Sequence, residues 1–446
     1  MPASDQLRII IVGGGIAGFA AAIALRAPNR RITVLEQSRL NHEIGALISL
    51  QPNASQILQK TWGLDKELEQ ARGLVDEGFR IYDVDGKLVN EVPLLSKTEY
   101  GGDRIVWHRN DLHNALKAAA RCPNRRGDPA TIRVASRVVN CDPHEGNVTL
   151  ETGEILTADV IIGADGIVLR ECVLIDEPAP MPTGTSAYRL MIPSAVLEEE
   201  EPQFCSRINP RHSYTSMIVA HNCRLVMGPG RQGDVYAVTA LVPDERMNED
   251  SGQSWVSEGS LVKMLETFAE FPDWVTSIFK HSPDIGLWQL RDMDPLKTWI
   301  RGRVILIGDA AHPMLPTQGQ GASQAIEDAE ALGAFFEDVG EALSVRQLDH
   351  IFNVIQTYPA IFCCRYGRVS LIQQGSRQAA KPGTVKDEKT VTMATQYGNV
   401  IEYVGNGSQR LLTSWLDAPS HANLRALLSE SRGCYSSYGG SSSASY

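Results

Sequence analysis

The stretch from Leu7 to Arg26 constrains the fold of this chain more than any other. The strand-like run Leu7 to Val12 leads into Gly13-Gly14-Gly15-Ile16-Ala17-Gly18 and then into the helix-like Phe19 to Arg26. Buried strand, glycine turn and helix in that order open a doubly wound α/β domain, with the turn shaped for a dinucleotide pyrophosphate. Glycine is needed because a Cβ would hold the phosphate away from the backbone N–H groups and the positive helix end. Ile32 to Leu35 reads as a second buried strand ending in Glu36, 18 residues after Gly18. A carboxylate there accepts both ribose hydroxyls and repels a 2′-phosphate, so FAD or NAD is expected rather than NADP.

A distant segment turns the dinucleotide site into a flavin site. Val304 to Ile307 reads as a buried strand whose carboxyl end presents Gly308-Asp309-Ala310-Ala311-His312-Pro313, and Gln324 to Phe336 has helical spacing. The loop between them, Pro316-Thr317-Gln318-Gly319-Gln320-Gly321, is rich in exposed backbone. It can press against a flat ring system, while the following helix N-terminus stabilises negative charge on a reduced flavin. His312 reads as a hydrogen-bonding support in preference to a proton-transfer group.

The glycine loop paired with this Gly-Asp segment resembles the single-component FAD-dependent aromatic hydroxylases. These are the salicylate-hydroxylase-like group A monooxygenases, particularly their fungal members. The resemblance runs from about Leu7 to Arg368. It is carried also by Gly45-Ala46 through Gln51-Pro52-Asn53-Ala54, by Trp107-His108-Arg109-Asn110-Asp111-Leu112, and by Gly163-Ala164-Asp165-Gly166. It implies that Gly13, Gly15 and Gly18 form the phosphate turn and that Glu36 holds the adenosine ribose. Arg109 would face the FAD phosphates and Asp309 would accept a ribityl hydroxyl. Gly45, Ala46 and Asp165 belong to the cofactor motifs, and Gly321 and Ala322 would lie beside the isoalloxazine. Where the family's Asp-Gly motif continues to a serine and an arginine, this chain has Leu169 and Cys172, with Arg170 close by. Where bacterial relatives have a Tyr-Pro pair, it has Gly228-Pro229, so no tyrosine role is carried over.

The expected fold is α/β: a doubly wound FAD-binding domain with an inserted antiparallel-sheet substrate domain and a C-terminal helical segment. The FAD-binding domain would take 1–177 and 288–357, with a boundary near Asp176-Glu177-Pro178-Ala179-Pro180. The inserted sheet would take 178–287, with strands at Met217 to Ala220, Arg224 to Met227 and Val235 to Val242 and a helix at Leu261 to Phe271. Residues 358–433 would be helical and 434–446 a disordered Ser/Gly/Tyr-rich tail. Gly228-Pro229-Gly230-Arg231-Gln232-Gly233 also spells a dinucleotide signature, but the strand-like Val235 to Val238 follows it, so a hairpin loop is expected. The acidic run Glu198 to Glu201 reads as a solvated loop.

Ile9 to Leu25 is 17 residues long without a polar side chain. Its four glycines, the absence of a basic flank and its fit to the phosphate turn argue against a signal peptide or anchor. A formal charge of −11 argues against a nucleic-acid partner. The 8 cysteines show neither a C-x-x-C nor a disulfide spacing, with only Cys363-Cys364 adjacent, so reduced thiols in a cytoplasmic setting are expected. Neither a metal site nor a membrane partner is expected, and the chain would be a monomer or a homodimer.

For the chemistry, the resemblance implies reduction of FAD by NADPH or NADH visiting transiently, reaction with O2 to a flavin hydroperoxide, and transfer of one oxygen atom to an electron-rich aromatic ring. Phenolic acids, aromatic polyketides and related secondary metabolites are the expected substrates. A phenol must be held near its anionic form, and Arg189 in Ala187-Tyr188-Arg189 is the candidate cation, with an ion-pair role as its alternative. Tyr214, His212 and His221 are weaker candidates. Two other classes stay open: a flavin oxidase or dehydrogenase acting on C–H or C–N bonds without NAD(P)H, and a non-catalytic FAD-fold binding protein. A flavin-dependent halogenase is disfavoured because W-x-W-x-I-P is absent.

Overall fold

In the computed structural model, the described residues are 6–39, 46–166, 168–174, 180–247, 257–337, 362, 365–377 and 379–380. A six-stranded sheet organises the first half, in the order Ile300–Arg301, Val304–Leu306, Val160–Gly163, Leu7–Val12, Arg30–Leu35, Thr131–Arg133. All its pairings are parallel except the first. Leu7–Val12 lies at the centre, covered on both faces, which is why it reads as an almost unbroken apolar run. The helix Ile16–Ala24 is apolar all round because the helices Arg109–Arg121 and Gly321–Phe336 both pack on it. The run Ile9 to Leu25 is therefore a strand, a turn and a helix, and among the described residues no helix is long and apolar enough to cross a membrane.

The second sheet has eight strands, in the order Ser257–Glu258, Ile285–Asp292, Met181–Pro193, Val235–Pro243, Cys223–Gly230, Tyr214–Ala220, Gly78–Tyr82, Leu88–Pro93. Two of these come from residues 78–93, which the sequence reading assigned to the nucleotide domain. Gly78–Tyr82 joins in parallel, so the sheet is mixed rather than purely antiparallel. The alternation in 78–82 and 88–93 marks them as strands but not which sheet they extend, since that pairing is long-range. The expected boundary at 287/288 falls inside the strand Ile285–Asp292.

Gly228 to Gly233 forms the expected hairpin. Cys223–Gly230 and Val235–Pro243 pair antiparallel on either side of a short turn at Arg231–Gly233. Arg231 at its tip reaches back to Asp111 of the nucleotide domain, with two hydrogen bonds of 2.6 and 2.8 Å. The acidic run is solvated at Glu198 to Glu200 as expected, but it is the end of the helix Ser194–Glu200 rather than a loop, and Glu201 turns inward to accept from Ser277 (2.6 Å) and to meet His281 (2.8 Å). One buried carboxylate thus staples the end of that helix to the helical turn at 277–281. Residues 365–377 are helical and pack near the Gly-Asp segment, where Gln373 donates to the carbonyls of Met293 (3.1 Å) and Pro313 (2.7 Å). Apart from 362 and 379–380, the rest of 358–433, Cys363-Cys364 included, lies outside the described residues, as do the tail 434–446 and the linker residues 175–179.

Candidate active site

The glycine turn is built for a ligand rather than for the chain alone. Gly13 has φ +103°, and a Cβ on it would overlap the carbonyl of Ala164 on the neighbouring strand loop. A Cβ on Gly18 would overlap the carbonyl oxygen of Gly13. Gly15 differs: its φ is −77°, which any residue adopts, and a Cβ there would meet nothing within 4 Å. The open space beyond Gly15 is the cradle that a pyrophosphate fills at a helix N-terminus. Glu36 accepts the backbone N–H of Gly14 (2.8 Å) and of Ser38 (2.7 Å), one on each oxygen. A carboxylate has about four acceptor positions, so each oxygen keeps one for a ribose hydroxyl. His113, which the sequence reading did not single out, fixes the carbonyl of Gly14 with its Nε2 at 2.6 Å. Its only sequence signal is its place one helical turn beyond Arg109.

A cavity of about 900 Å³ opens from this turn to the eight-stranded sheet. Gly15, Ala46, Arg109, Asp165, Asp309, Gly321 and Ala322 line its nucleotide side, and Arg189, Tyr214, Met227, Thr239 and Trp288 line its sheet side. Gly13, Gly18 and Glu36 stand behind the wall as supports, and Gly45 lies outside the described residues. Arg109 is set beside Ala46 because its backbone N–H donates to the Ala46 carbonyl at 2.8 Å.

Arg170 explains how the two Gly-Asp motifs meet. It is buried and donates to the carbonyls of Gly166, Asp309 and Ala310, the last at 2.9 Å. It therefore clamps the loop after Val160–Gly163 to the turn that carries Asp309 through its Nε and Nη2, while its buried Nη1 has no hydrogen-bond partner. Asp309 itself is exposed to the cavity. Asp165 is held more deeply; burial raises its carboxyl pKa, and one carboxylate oxygen has no hydrogen-bond partner. An unsatisfied buried acceptor beside an open cavity suits a ligand hydroxyl or N–H.

Beneath the Asp309 turn lies a buried charge network that the sequence reading missed. Asp328 accepts the Gly308 N–H (3.0 Å), His312 Nε2 (2.6 Å) and Arg365 Nε (2.8 Å). Arg365 also reaches Glu327, which Arg368 holds through two hydrogen bonds of 2.9 and 2.8 Å. Burial alone would raise the Glu327 carboxyl, but Arg368 and Arg365 bring it down to about 2. His312 is thus a support for the turn, as the sequence reading preferred. The signal for the network was Glu327-Asp328 inside the Ala-rich helix Gly321–Phe336, with Arg365 and Arg368 three residues apart.

On the sheet side, Arg189 lies with its guanidinium over the ring of Trp288, 4.6 Å from the centroid. Burial, and then the charge of Arg109, lower its pKa to about 10, so it stays cationic at neutral pH. Among the described residues no carboxylate pairs with it, which removes the ion-pair alternative for this set. Tyr214 lines the cavity with Arg80 stacked on its ring at 3.6 Å and His212 against its edge. His221 is not brought to the cavity; it sits at the turn between two strands, 3.7 Å from Glu270.

Residues 6–342 match the family described as "FAD binding domain". An FAD-dependent monooxygenase of Aspergillus candidus is 31% identical over 386 residues, covering 85% of this chain and 87% of the relative. Hispidin-3-hydroxylase of Neonothopanus nambi is 32% identical over 342 residues, covering 74% of this chain and 80% of the relative. Among solved structures, a salicylate hydroxylase in complex with substrate superposes with a TM-score of 0.72 at 26% identity, covering 95% of this chain and 98% of the other.

Proposed function

This chain belongs to the FAD binding domain family and is an FAD-dependent monooxygenase of aromatic rings, and from that premise we propose how its own residues divide the work. Gly13, Gly15 and Gly18 shape the pyrophosphate turn, Glu36 takes the adenosine ribose, and Arg109 faces the phosphates. Asp309 accepts a ribityl hydroxyl, Asp165 supports the neighbouring loop, and Ala46, Gly321 and Ala322 line the ring system. Bound FAD, reduced by NAD(P)H, supplies oxygen activation, so that NAD(P)H, H⁺, O2 and the aromatic yield NAD(P)⁺, water and the hydroxylated ring.

The observation that carries the substrate reading is Arg189, a cation without a carboxylate partner among the described residues, held over Trp288 at the cavity wall. A guanidinium there stabilises a phenolate, and ring hydroxylation needs that electron-rich form. Ala237 and Leu241, on the strand paired with that of Arg189, give the reacting end an apolar wall that keeps water away. An electron-rich phenol of the aromatic-polyketide or phenolic-acid kind is therefore the proposed substrate, a reading supported by the relative named for hydroxylating hispidin. Its five described cysteines are all free, which supports a cytoplasmic setting.

The test is acceleration of NAD(P)H oxidation by phenolic acids, aromatic polyketides and indoles, with product mass as readout. Phenols that speed oxidation and gain one oxygen atom support the reading. Turnover of any substrate without NAD(P)H would instead favour an oxidase.

A further inference from the structure

Arg104 presents a further cation to the cavity besides Arg189 and Arg109, and the established reaction assigns it nothing. It lines the cavity wall with its side chain 18% exposed, while its Nε–H is sealed from the cavity and has no acceptor. Its ionic neighbour is Asp76, 3.4 Å away, a carboxylate only 1% exposed. Asp76 is in turn committed to Thr215, accepting its hydroxyl at 2.6 Å and its backbone N–H at 3.2 Å. A guanidinium with five donors and one long ionic contact, set in a cavity wall, is poised for an acceptor on a ligand.

This second polar point is far from Arg189. Between the strand of Arg189 and that of Thr215 lie two others, Val235–Pro243 and Cys223–Gly230, which makes three strand spacings of about 4.8 Å, or roughly 14 Å across the sheet. The side chains do not close that gap. Arg189 leans over Trp288, on the strand that flanks it on the side away from Thr215, and Arg104 is held at Asp76. The wall between them is mostly apolar, with Ala237, Leu241 and Val226 on the two intervening strands and Thr239 as a hydroxyl among them. A single substituted ring does not span two polar points so far apart.

We propose that Arg104, held by Asp76, is a distal anchor for substrate, and that the cavity takes an elongated two-ring phenol with a neutral oxygen function at its far end. The proposal rests on the reading of Arg189 as the cation of the reacting end. The distal group is a hydroxyl or a ketone rather than a carboxylate, because Asp76 already neutralises Arg104 and a second anion beside it would be repelled. Arg104 is then a specificity-determining residue: it adds affinity for one end of the molecule while the chemistry occurs at the other.

Calorimetric titration of the FAD-loaded protein with a single-ring phenol, para-hydroxystilbene and its para,para′-dihydroxy counterpart tests this. The wild-type protein is expected to bind the dihydroxy compound about tenfold tighter than the monohydroxy one, and Arg104→Met to abolish that gain while leaving para-hydroxystilbene affinity within about twofold. Thr215→Val, which removes the hydroxyl donor to Asp76 and keeps only the backbone N–H, is expected to reduce the gain. The proposal is overturned if the second hydroxyl brings no gain in the wild-type protein, if the gain survives Arg104→Met, or if the single-ring phenol binds as tightly as the dihydroxystilbene. Binding needs no turnover, so failure of all three phenols to accelerate NAD(P)H oxidation would count against the reacting-end reading alone.

Discussion

Replacing Arg365 with methionine removes the central cation of the network under the Asp309 turn and keeps most of the side-chain length. In the native protein Arg365 is completely buried, with Nε on Asp328 at 2.8 Å, Nη1 on Glu327 and Nη2 on the Gln324 side chain at 2.7 Å. Two buried carboxylates are then left with one arginine, Arg368, which lies on Glu327. Breaking a buried pair by removing one partner costs about 3–5 kcal/mol, because the remaining charge stays desolvated. The loss should also reach the cofactor site, since Asp328 holds the Gly308 N–H at the turn that presents Asp309. Urea unfolding followed by tryptophan fluorescence at pH 7.5 measures it, with FAD retention after desalting as the second readout. The pH dependence has a definite sign. Glu327 is held down from 4.5 to about 2 in the folded protein, so its contribution is present above pH 4.5 and is lost as pH falls toward 2. The gap between native and variant protein should therefore be full at pH 7.5 and smaller at pH 4. A loss under about 1 kcal/mol at pH 7.5, or a gap that widens on acidification, would refute the reasoning.

Three further expectations concern the site itself. Gly15→Val should fold normally, because a Cβ there meets open space, yet purify without the yellow of bound flavin; a fully flavinated variant by absorbance would contradict the cradle assignment. Asp309→Ala should weaken FAD binding by about 1.5–3 kcal/mol and by more than Asp165→Ala does, as a charge-assisted hydrogen bond is lost. Titration of both apo-proteins decides, and equal or reversed affinities reject the ranking. Arg189→Met should retain FAD and its reduction but divert NAD(P)H consumption from hydroxylated product to hydrogen peroxide. Unchanged coupling and substrate affinity would make Arg189 a packing residue.

Much of the nucleotide half was legible in the chain because its signals are local. Gly13 and Gly18 are forced by backbone approaches within a few residues of each other or to an adjacent strand, and Gly15 by the ligand, so a short motif carries all three. The alternation after Gly233 was enough to make Gly228 to Gly233 a hairpin, because strand and helix differ in period. The same local rules held for Glu198 to Glu200, which are exposed, and failed at Glu201, which is buried against Ser277 and His281 from a distant segment.

The sequence by itself determined the dinucleotide turn and the doubly wound core, which follow from residue types at fixed spacing along one strand, turn and helix, while FAD and the role of Asp309 came from pairing that turn with the distant Gly-Asp segment and from the family resemblance the two carry. Only the tertiary structure decided that residues 78–93 extend the substrate sheet, that Arg170 clamps the two Gly-Asp loops together, and that Arg189 and Arg104 stand at separate places on one cavity wall. Those facts depend on which strands pair and on how a guanidinium reaches carbonyls some 140 positions away in the chain. Long-range pairing and buried polar satisfaction are properties of the packed whole, and no local period in the chain encodes them.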